Sequence, residues 1–130
     1  MNYHIGRFFA SFVVSGLSFL ATNAFAHHSQ TMYDKHNPIE LHGVVKRFEY
    51  TNLHAWLIID VTNEDGSVTT WGVEWTPGGP SSLRKVNIRK GDFQPGTEVI
   101  VKGHPMKDGR PALRWIQVTR KKDGKKFSEE

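Results

Sequence analysis

Residues 39–75, IELHGVVKRFEYTNLHAWLIIDVTNEDGSVTTWGVEW, contain the pattern that decides the fold. Apolar and polar residues alternate through much of this stretch, which is typical of β-strands rather than of helices. Asp65-Gly66 lies between two such strands and is a strong signal for a tight hairpin turn. The stretch therefore predicts three consecutive strands, a long first strand followed by a hairpin.

The long first strand changes its apolar phase within its own length. Leu41 has one parity, whereas Val44 and Phe48 have the other. A glycine inside a strand often marks an extra residue that shifts the phase. Because Gly43 lies where the parity changes, we predict a β-bulge at Gly43.

Downstream of these strands the sequence predicts a short helix and a second hairpin. SSLRKVNIRKG, residues 81–91, predicts a helix that is capped by Ser81 and ended by Gly91. GTEVIVKGHP (96–105) and PALRWIQVTR (111–120) predict two further strands joined by the tight turn KDGR. This order predicts a β-rich fold with one short helix, a small five-stranded Greek-key barrel of the OB type. An open antiparallel sandwich is the alternative.

Composition divides the 130 residues into four segments. A positive start with Arg7, the apolar stretch FFASFVVSGLSFL and the small-residue pattern AFA predict a secretory signal peptide that is cleaved after Ala26. An uncleaved membrane anchor is the alternative, but the apolar stretch is shorter than the roughly 20 residues that span a bilayer. No transmembrane segment is expected after cleavage. The predicted segments are the signal peptide (1–26), an N-terminal arm (27–38), the barrel (39–119) and a basic flexible tail (120–130).

The chain contains no cysteine, which excludes disulfides, zinc–thiolate sites and a lipoprotein anchor. Export without disulfides predicts a periplasmic location. The formal net charge is +4 at pH 7, with basic residues concentrated in 84–90 and 120–126. An exported protein is not expected to meet nucleic acid, so these stretches predict a solvated surface or attraction to anionic envelope components.

No motif of a classical hydrolase is present. The sequence lacks a nucleophile elbow and a phosphate-binding loop, and no motif pairs its acidic residues as a glycosidase acid and base. These observations favour a protein that binds something over one that transforms it.

Several stretches together resemble a family of small exported bacterial proteins known only as a domain of unknown function. They are AHHS, LHGVVKRFEYTNLHAW, WGVEW, PGTEVIVKGHP and KDGR, at residues 26–29, 41–56, 71–75, 95–105 and 107–110. Members usually have a proline before the histidine of the HAW motif, where this chain has Leu53. The resemblance implies export and a β-barrel fold, and it implies no activity.

The pair His27-His28 predicts a copper site if the leader is cleaved after Ala26. His27 would then offer a free α-amine and an imidazole, and one further imidazole completes a T-shaped histidine brace. The α-amine has a pKa of about 7.7–8.0, so a metal displaces its proton near neutral pH. Imidazole suits copper, which leads the divalent affinity order. The candidate partners for His27 are His28, His36, His42, His54 and His104.

The first residue alone resembles that of copper monooxygenases and of some periplasmic copper carriers. The alternative is that the arm is soluble and disordered, with histidines that serve leader cleavage or nothing. A cut after Ala24 would make His27 the third residue and change the copper geometry.

A second candidate site surrounds His54, where the second strand begins. Trp56, two residues later, points to the same side, and Asn52 and Glu74 could join them if the third strand lies alongside. An imidazole beside an indole suits a ring-shaped or saccharide ligand. The alternative is that a backbone carbonyl satisfies His54 and that Trp56 is ordinary core.

Together these observations predict a periplasmic, non-catalytic accessory protein that binds a small ligand or a metal ion. Copper is the expected metal. A copper-dependent redox enzyme with the same brace is one alternative, and a structural module whose partner is another envelope protein is the other. The predicted metal ligands are His27, His28, His54 and His104, and the predicted ligand-binding residues are Asn52, His54, Trp56 and Glu74.

Overall fold

Six β-strands and one α-helix run through residues 30–129, the part of the chain that the computed structural model describes. The strands are β1 (Ile39–Glu49), β2 (Ala55–Thr62), β3 (Val68–Trp75), β4 (Glu98–Pro105), β5 (Ala112–Arg120) and β6 (Lys125–Ser128). The helix α1 (Pro80–Lys85) connects β3 to β4, and short 3-10 turns lie at Gln30–Met32 and Lys90–Asp92. Within the same residues, no helix has the length and apolar character needed to cross a membrane.

The first five strands close into a barrel because β3 pairs with β5 as well as with β2. The hydrogen-bonded order is β3-β2-β1-β4-β5, and a parallel pairing of β3 with β5 joins the two ends. β6 extends the sheet from β5 and lies outside the barrel. The predicted β-rich, five-stranded OB-like barrel is confirmed, and the open sandwich is wrong.

Alternation along the strands gives the barrel one inward face. In β2, Leu57 and Ile59 are fully buried in the core, as their spacing predicts. The rings of Trp75 and Trp115 meet edge to face with centroids 5.5 Å apart, and Phe93 packs on Trp115 at 5.7 Å. Such aromatic pairs contribute about 0.5–1.5 kcal/mol each beyond the burial of their surface. Interlocked aromatic rings therefore stabilise this cysteine-free core.

The bulge in β1 lies three residues beyond its predicted position. The register of β1 with β2 skips Lys46, which is therefore the extra residue. Gly43 pairs regularly with Val99 of β4. A Cβ at Gly43 would lie 3.0 Å from the carbonyl oxygen of Asp60, so glycine permits the close approach of β1 to β2. The predicted bulge at Gly43 is wrong, and the apolar phase changes after Val45.

The helix begins and ends earlier than the sequence predicts. Gly79 is its N-cap residue and Pro80 its first helical residue, without a hydrogen bond from a capping side chain. Proline suits this position because the first helical N–H has no partner within the helix. The predicted cap at Ser81 is therefore wrong, and the helix ends at Lys85 rather than at Gly91.

The predicted flexible tail, residues 120–130, contains an ordered strand. β6 pairs antiparallel with β5, and the side chain of Phe127 is buried in the core. The Phe127 ring lies 4.7 Å from that of Phe93, and the indole N–H of Trp115 donates to the Phe127 carbonyl oxygen at 3.0 Å. The structure thus places residues 125–128 in a strand that a single aromatic residue, Phe127, anchors to the core.

The end of the predicted arm, residues 27–38, also packs on the barrel. Tyr33 is buried and forms a bridge with Met106. The N–H of Asp34 donates to the carbonyl oxygen of Pro105 at 2.8 Å. The predicted signal peptide and residues 27–29 lie outside the described residues.

Gly103 is a point of very close approach between β4 and β5. A Cβ there would lie 2.6 Å from the carbonyl oxygen of Arg114 and 2.8 Å from the Cβ of Leu113. Because neither group yields easily, Gly103→Ala is expected to lower the free energy of unfolding by about 2 kcal/mol in urea denaturation. Gly91→Ala is the matched control, since its Cβ would meet only Gln94, at 3.9 Å. Equal losses from both substitutions would contradict this account.

Candidate functional site

A row of four side chains crosses the outer face of the barrel where β3 and β5 close it. The register pairs Trp56 with Glu74, Glu74 with Arg114, and Arg114 with His104. Paired residues of neighbouring strands place their side chains on the same face of the sheet. These four residues therefore form one continuous strip, the closure strip.

Glu74 is fully buried although it faces outward from the barrel. The hydroxyl of Tyr33 donates a hydrogen bond to its Oε2, and Nδ1 of His54 lies 2.5 Å from its Oε1. A carboxylate removed from water is costly unless it is hydrogen-bonded. Tyr33 and His54 supply those hydrogen bonds, one to each oxygen, and the three side chains form the Tyr33–Glu74–His54 network.

Tyr33 is held in its protonated form. Burial raises the pKa of its hydroxyl above the ordinary value of 10, and the hydrogen bond to Glu74 and the charge of Glu74 raise that pKa further. Arg110 and Arg114 lower the pKa of Tyr33 by smaller amounts. At neutral pH the hydroxyl therefore donates to Glu74, and it ties the N-terminal arm to the closure strip.

Glu74 also fixes which nitrogen of His54 faces outward. When a carboxylate accepts a hydrogen bond from Nδ1–H of a neutral imidazole, Nε2 keeps the lone pair. The side chain of His54 is 29% exposed, whereas that of Glu74 is 0% exposed. The network thus orients a partly exposed imidazole. The same carboxylate–histidine pairing orients imidazoles that bind metals.

The sequence profile of a family of unknown function, DUF6152, matches residues 15–113. The chain belongs to the DUF6152 family. This match confirms the resemblance to a family known only as a domain of unknown function. No curated protein matches the chain significantly.

In this DUF6152 chain the structure brings together three of the four predicted ligand-binding residues. Trp56 lies beside Glu74, and Glu74 contacts His54, so the His54 ring bonds a carboxylate rather than a backbone carbonyl. Asn52 lies elsewhere: it is exposed, and its Cα would be 2.9 Å from a Cβ placed on Gly79. The structure thus places Asn52 against the loop before α1 rather than in the closure strip.

Two of the predicted metal ligands of this DUF6152 chain, His54 and His104, belong to the described residues, and they lie apart. His104 lies on β4, so β5 and β3 separate it from the beginning of β2, where His54 lies. Within residues 30–129, no group of three or more His, Cys, Asp or Glu side chains could hold a metal ion. His27 and His28 lie outside the described residues. Of the predicted ligands, the described part therefore offers His54 and His104 at separate places.

The two other histidines of the described residues, His36 and His42, lie on other surfaces. His42 is exposed on β1, where its Nε2 lies 3.2 Å from Oε1 of Glu40. His36 lies beside Lys35 and Lys107 in a shallow groove along the arm. Neither histidine has a buried carboxylate such as Glu74 to orient its ring.

Tyr33 and Arg114 belong to the site, and sequence reasoning missed both. Tyr33 is the one tyrosine in an otherwise polar arm, and this was the available signal. Arg114 reaches Glu74 only because β3 and β5 close the barrel, a pairing that leaves no local mark in the sequence.

The residue before His54 has a positive φ, a backbone conformation that residues other than glycine disfavour. Leu53 has a φ of 72° and is 79% exposed. A proline, usual at this position in the DUF6152-like pattern, could not adopt this φ because its ring fixes φ near −65°. The loop that leads to His54 therefore differs from the one that a proline would give.

Leu53→Gly is expected to raise the free energy of unfolding by about 0.5 to 1 kcal/mol. Glycine adopts a positive φ freely, and the exposed leucine side chain makes little packing that could be lost. Leu53→Pro is expected to lower stability, and urea denaturation measures both changes. A Leu53→Gly protein that is less stable than the parent would contradict the backbone conformation described.

Proposed function

We propose that this DUF6152 protein is a periplasmic, non-catalytic accessory protein that holds a copper ion at His54 after its leader has been removed. One observation carries the proposal: buried Glu74 contacts both the ring of His54 and the hydroxyl of Tyr33. The first contact orients the partly exposed ring of His54 through its Nδ1 and leaves the Nε2 lone pair for a metal. The second anchors the N-terminal arm to the same carboxylate.

The chain is long enough for His27 to reach His54. Tyr33 and His54 contact the two oxygens of a single carboxylate, so the Tyr33 hydroxyl is held within a few ångströms of the imidazole. Tyr33 lies six positions after His27; three steps at up to about 3.4 Å and three through the 3-10 turn at about 2 Å give a reach of roughly 16 Å. A free terminus at His27 can therefore approach Nε2 of His54.

The ligand count is consistent with a site that is completed by the terminus. Within residues 30–129 no group of three or more His, Cys, Asp or Glu side chains could hold a metal ion. His54 would therefore supply one nitrogen, and the other ligands would come from outside these residues. The α-amine and imidazole of His27 would supply two more, which gives the three nitrogens of a histidine brace. An all-nitrogen set of this kind favours copper among the divalent first-row metals.

The test is a copper(II) titration of the chain from residue 27, in competition with a chromophoric chelator. His54→Gln is expected to weaken copper binding at least about 10-fold, because it removes a ligand, and Glu74→Gln about 10-fold, because it releases the ring. His42→Gln is the matched control, since His42 is exposed on β1 and its Nε2 lies 3.2 Å from Oε1 of Glu40 rather than beside Glu74. Equal affinities of the parent and His54→Gln would contradict the proposal.

A second arm of the experiment tests the terminal amine. Adding Gly-Ser-Gly-Ser before His27 keeps every native side chain but moves the α-amine away from the first imidazole. This extended chain is expected to lose as much copper affinity as His54→Gln. Mass spectrometry of protein recovered after export should show a chain that begins at His27; any other first residue removes the brace.

A further inference from the structure

A pocket of about 300 Å³ opens at the far end of the closure strip, beside β6. Its lining includes Arg114, His104, Gln117, Ser128 and Glu129. Along the closure strip, the pocket lies on the far side of Glu74 from His54.

The imidazole of His104 lines this pocket and has one buried nitrogen without a hydrogen bond to the described residues. Its Nδ1 is shielded from water and has no hydrogen-bond partner among the described residues. Buried polar atoms nearly always have a partner, and the exceptions call for a specific explanation. Because His104 lines the pocket, a molecule that takes the place of a side chain there can supply that partner.

The contacts of Glu129 show that Arg114 binds a carboxylate at this pocket. Its Oε2 accepts a hydrogen bond from Nη2 of Arg114 at 3.1 Å, and its Oε1 accepts one from the hydroxyl of Thr76 at 3.4 Å. The Arg114 and Glu129 side chains are 17% and 21% exposed, so this ion pair is largely withdrawn from water. An arginine fork matches the geometry of a carboxylate, and this one already holds a carboxylate.

We propose that the pocket binds a small carboxylate, which replaces Glu129 on Arg114 and accepts a hydrogen bond from Nδ1–H of His104. The register pairs Arg114 with His104, so both side chains lie on the same face of the sheet, and both line the pocket. Exchange of one carboxylate for another keeps the charge of Arg114 balanced. Glu129 can leave without disturbing β6, because buried Phe127 anchors that strand.

The experiment follows the side-chain NMR signals of Arg114 Nε–H and the His104 ring during titration with a carboxylate. A free acid and the terminal carboxylate of a peptide share the required chemistry, so acetate and an N-acetylated dipeptide are the two probes. Saturable shifts of both residues with either probe support the proposal, and the tighter probe identifies the source. No saturable shift with either probe would overturn it.

Glu129→Gln removes the internal competitor and is expected to tighten carboxylate binding about 10-fold. His104→Ala removes the second donor and is expected to abolish the saturable shift of Arg114. Glu98→Gln is the matched control, because Glu98 is an exposed carboxylate that pairs with Lys121, and it should leave the affinity unchanged. Unchanged affinity in Glu129→Gln would overturn the proposed exchange.

Discussion

Phe127→Ala is expected to lower the free energy of unfolding by about 4 kcal/mol. The ring is 3% exposed, lies 4.7 Å from that of Phe93, and has the Lys125 ammonium 4.7 Å from its centroid. Its removal leaves a cavity and frees β6 from the barrel. Urea denaturation measures the loss.

Lys126→Ala is the matched control for Phe127, because Lys126 is the exposed neighbour in the same strand. Surface substitutions of this kind usually change stability by no more than about 0.5 kcal/mol. If Phe127→Ala also stayed within that range, the C-terminal residues would be the flexible tail that the sequence suggested.

Tyr33→Phe is expected to lower the free energy of unfolding by about 2 to 3 kcal/mol at pH 7. The substitution keeps the ring but removes the hydroxyl that donates to Oε2 of Glu74, which is 0% exposed. In a Glu74→Gln background the same substitution should cost at least about 1 kcal/mol less, because the carboxylate that needs the donor is gone. Additive losses would contradict the network.

The cost of Tyr33→Phe should shrink as the pH rises above 10. The folded-state pKa of Tyr33 lies above its ordinary value of 10, mainly because of burial. Above pH 10 the unfolded chain therefore binds fewer protons than the folded chain at this site, and stability decreases with rising pH. The parent should lose stability in this range more steeply than Tyr33→Phe in urea midpoints from pH 7 to 11. Parallel curves would contradict the assignment.

Local patterns predicted the strands but not every irregularity within them. The alternation of Leu57 and Ile59 and the Asp65-Gly66 turn mark β2 and its hairpin, because strand period and turn chemistry are local. The prediction of a bulge at Gly43 was wrong because a glycine in a strand marks either an extra residue or a close approach between two strands. Only the pairing with the neighbouring strand distinguishes these cases. β6 was missed because a four-residue segment with one aromatic residue is too short to show an alternation of apolar and polar residues.

The candidate site was partly predictable for a related reason. Trp56 and Glu74 occupy outward positions of adjacent strands, so alternation and a hairpin suffice to place them together. The contact of Tyr33 with Glu74 joins residues 41 positions apart, and no local pattern encodes it. Arg114 enters the strip through barrel closure, which is a tertiary event.

We propose above that Glu74 presents His54 to a metal held by the terminus. Electron paramagnetic resonance of the copper-loaded chain from residue 27 is the sharpest test of that coordination. The reference is the isolated peptide 27–38, which contains His27, His28 and His36 but lacks His54. If Glu74 presents His54 to the metal, the spectrum of the protein differs from that of the peptide and reverts toward it in His54→Gln. Identical spectra for the protein, the His54→Gln variant and the peptide would contradict it.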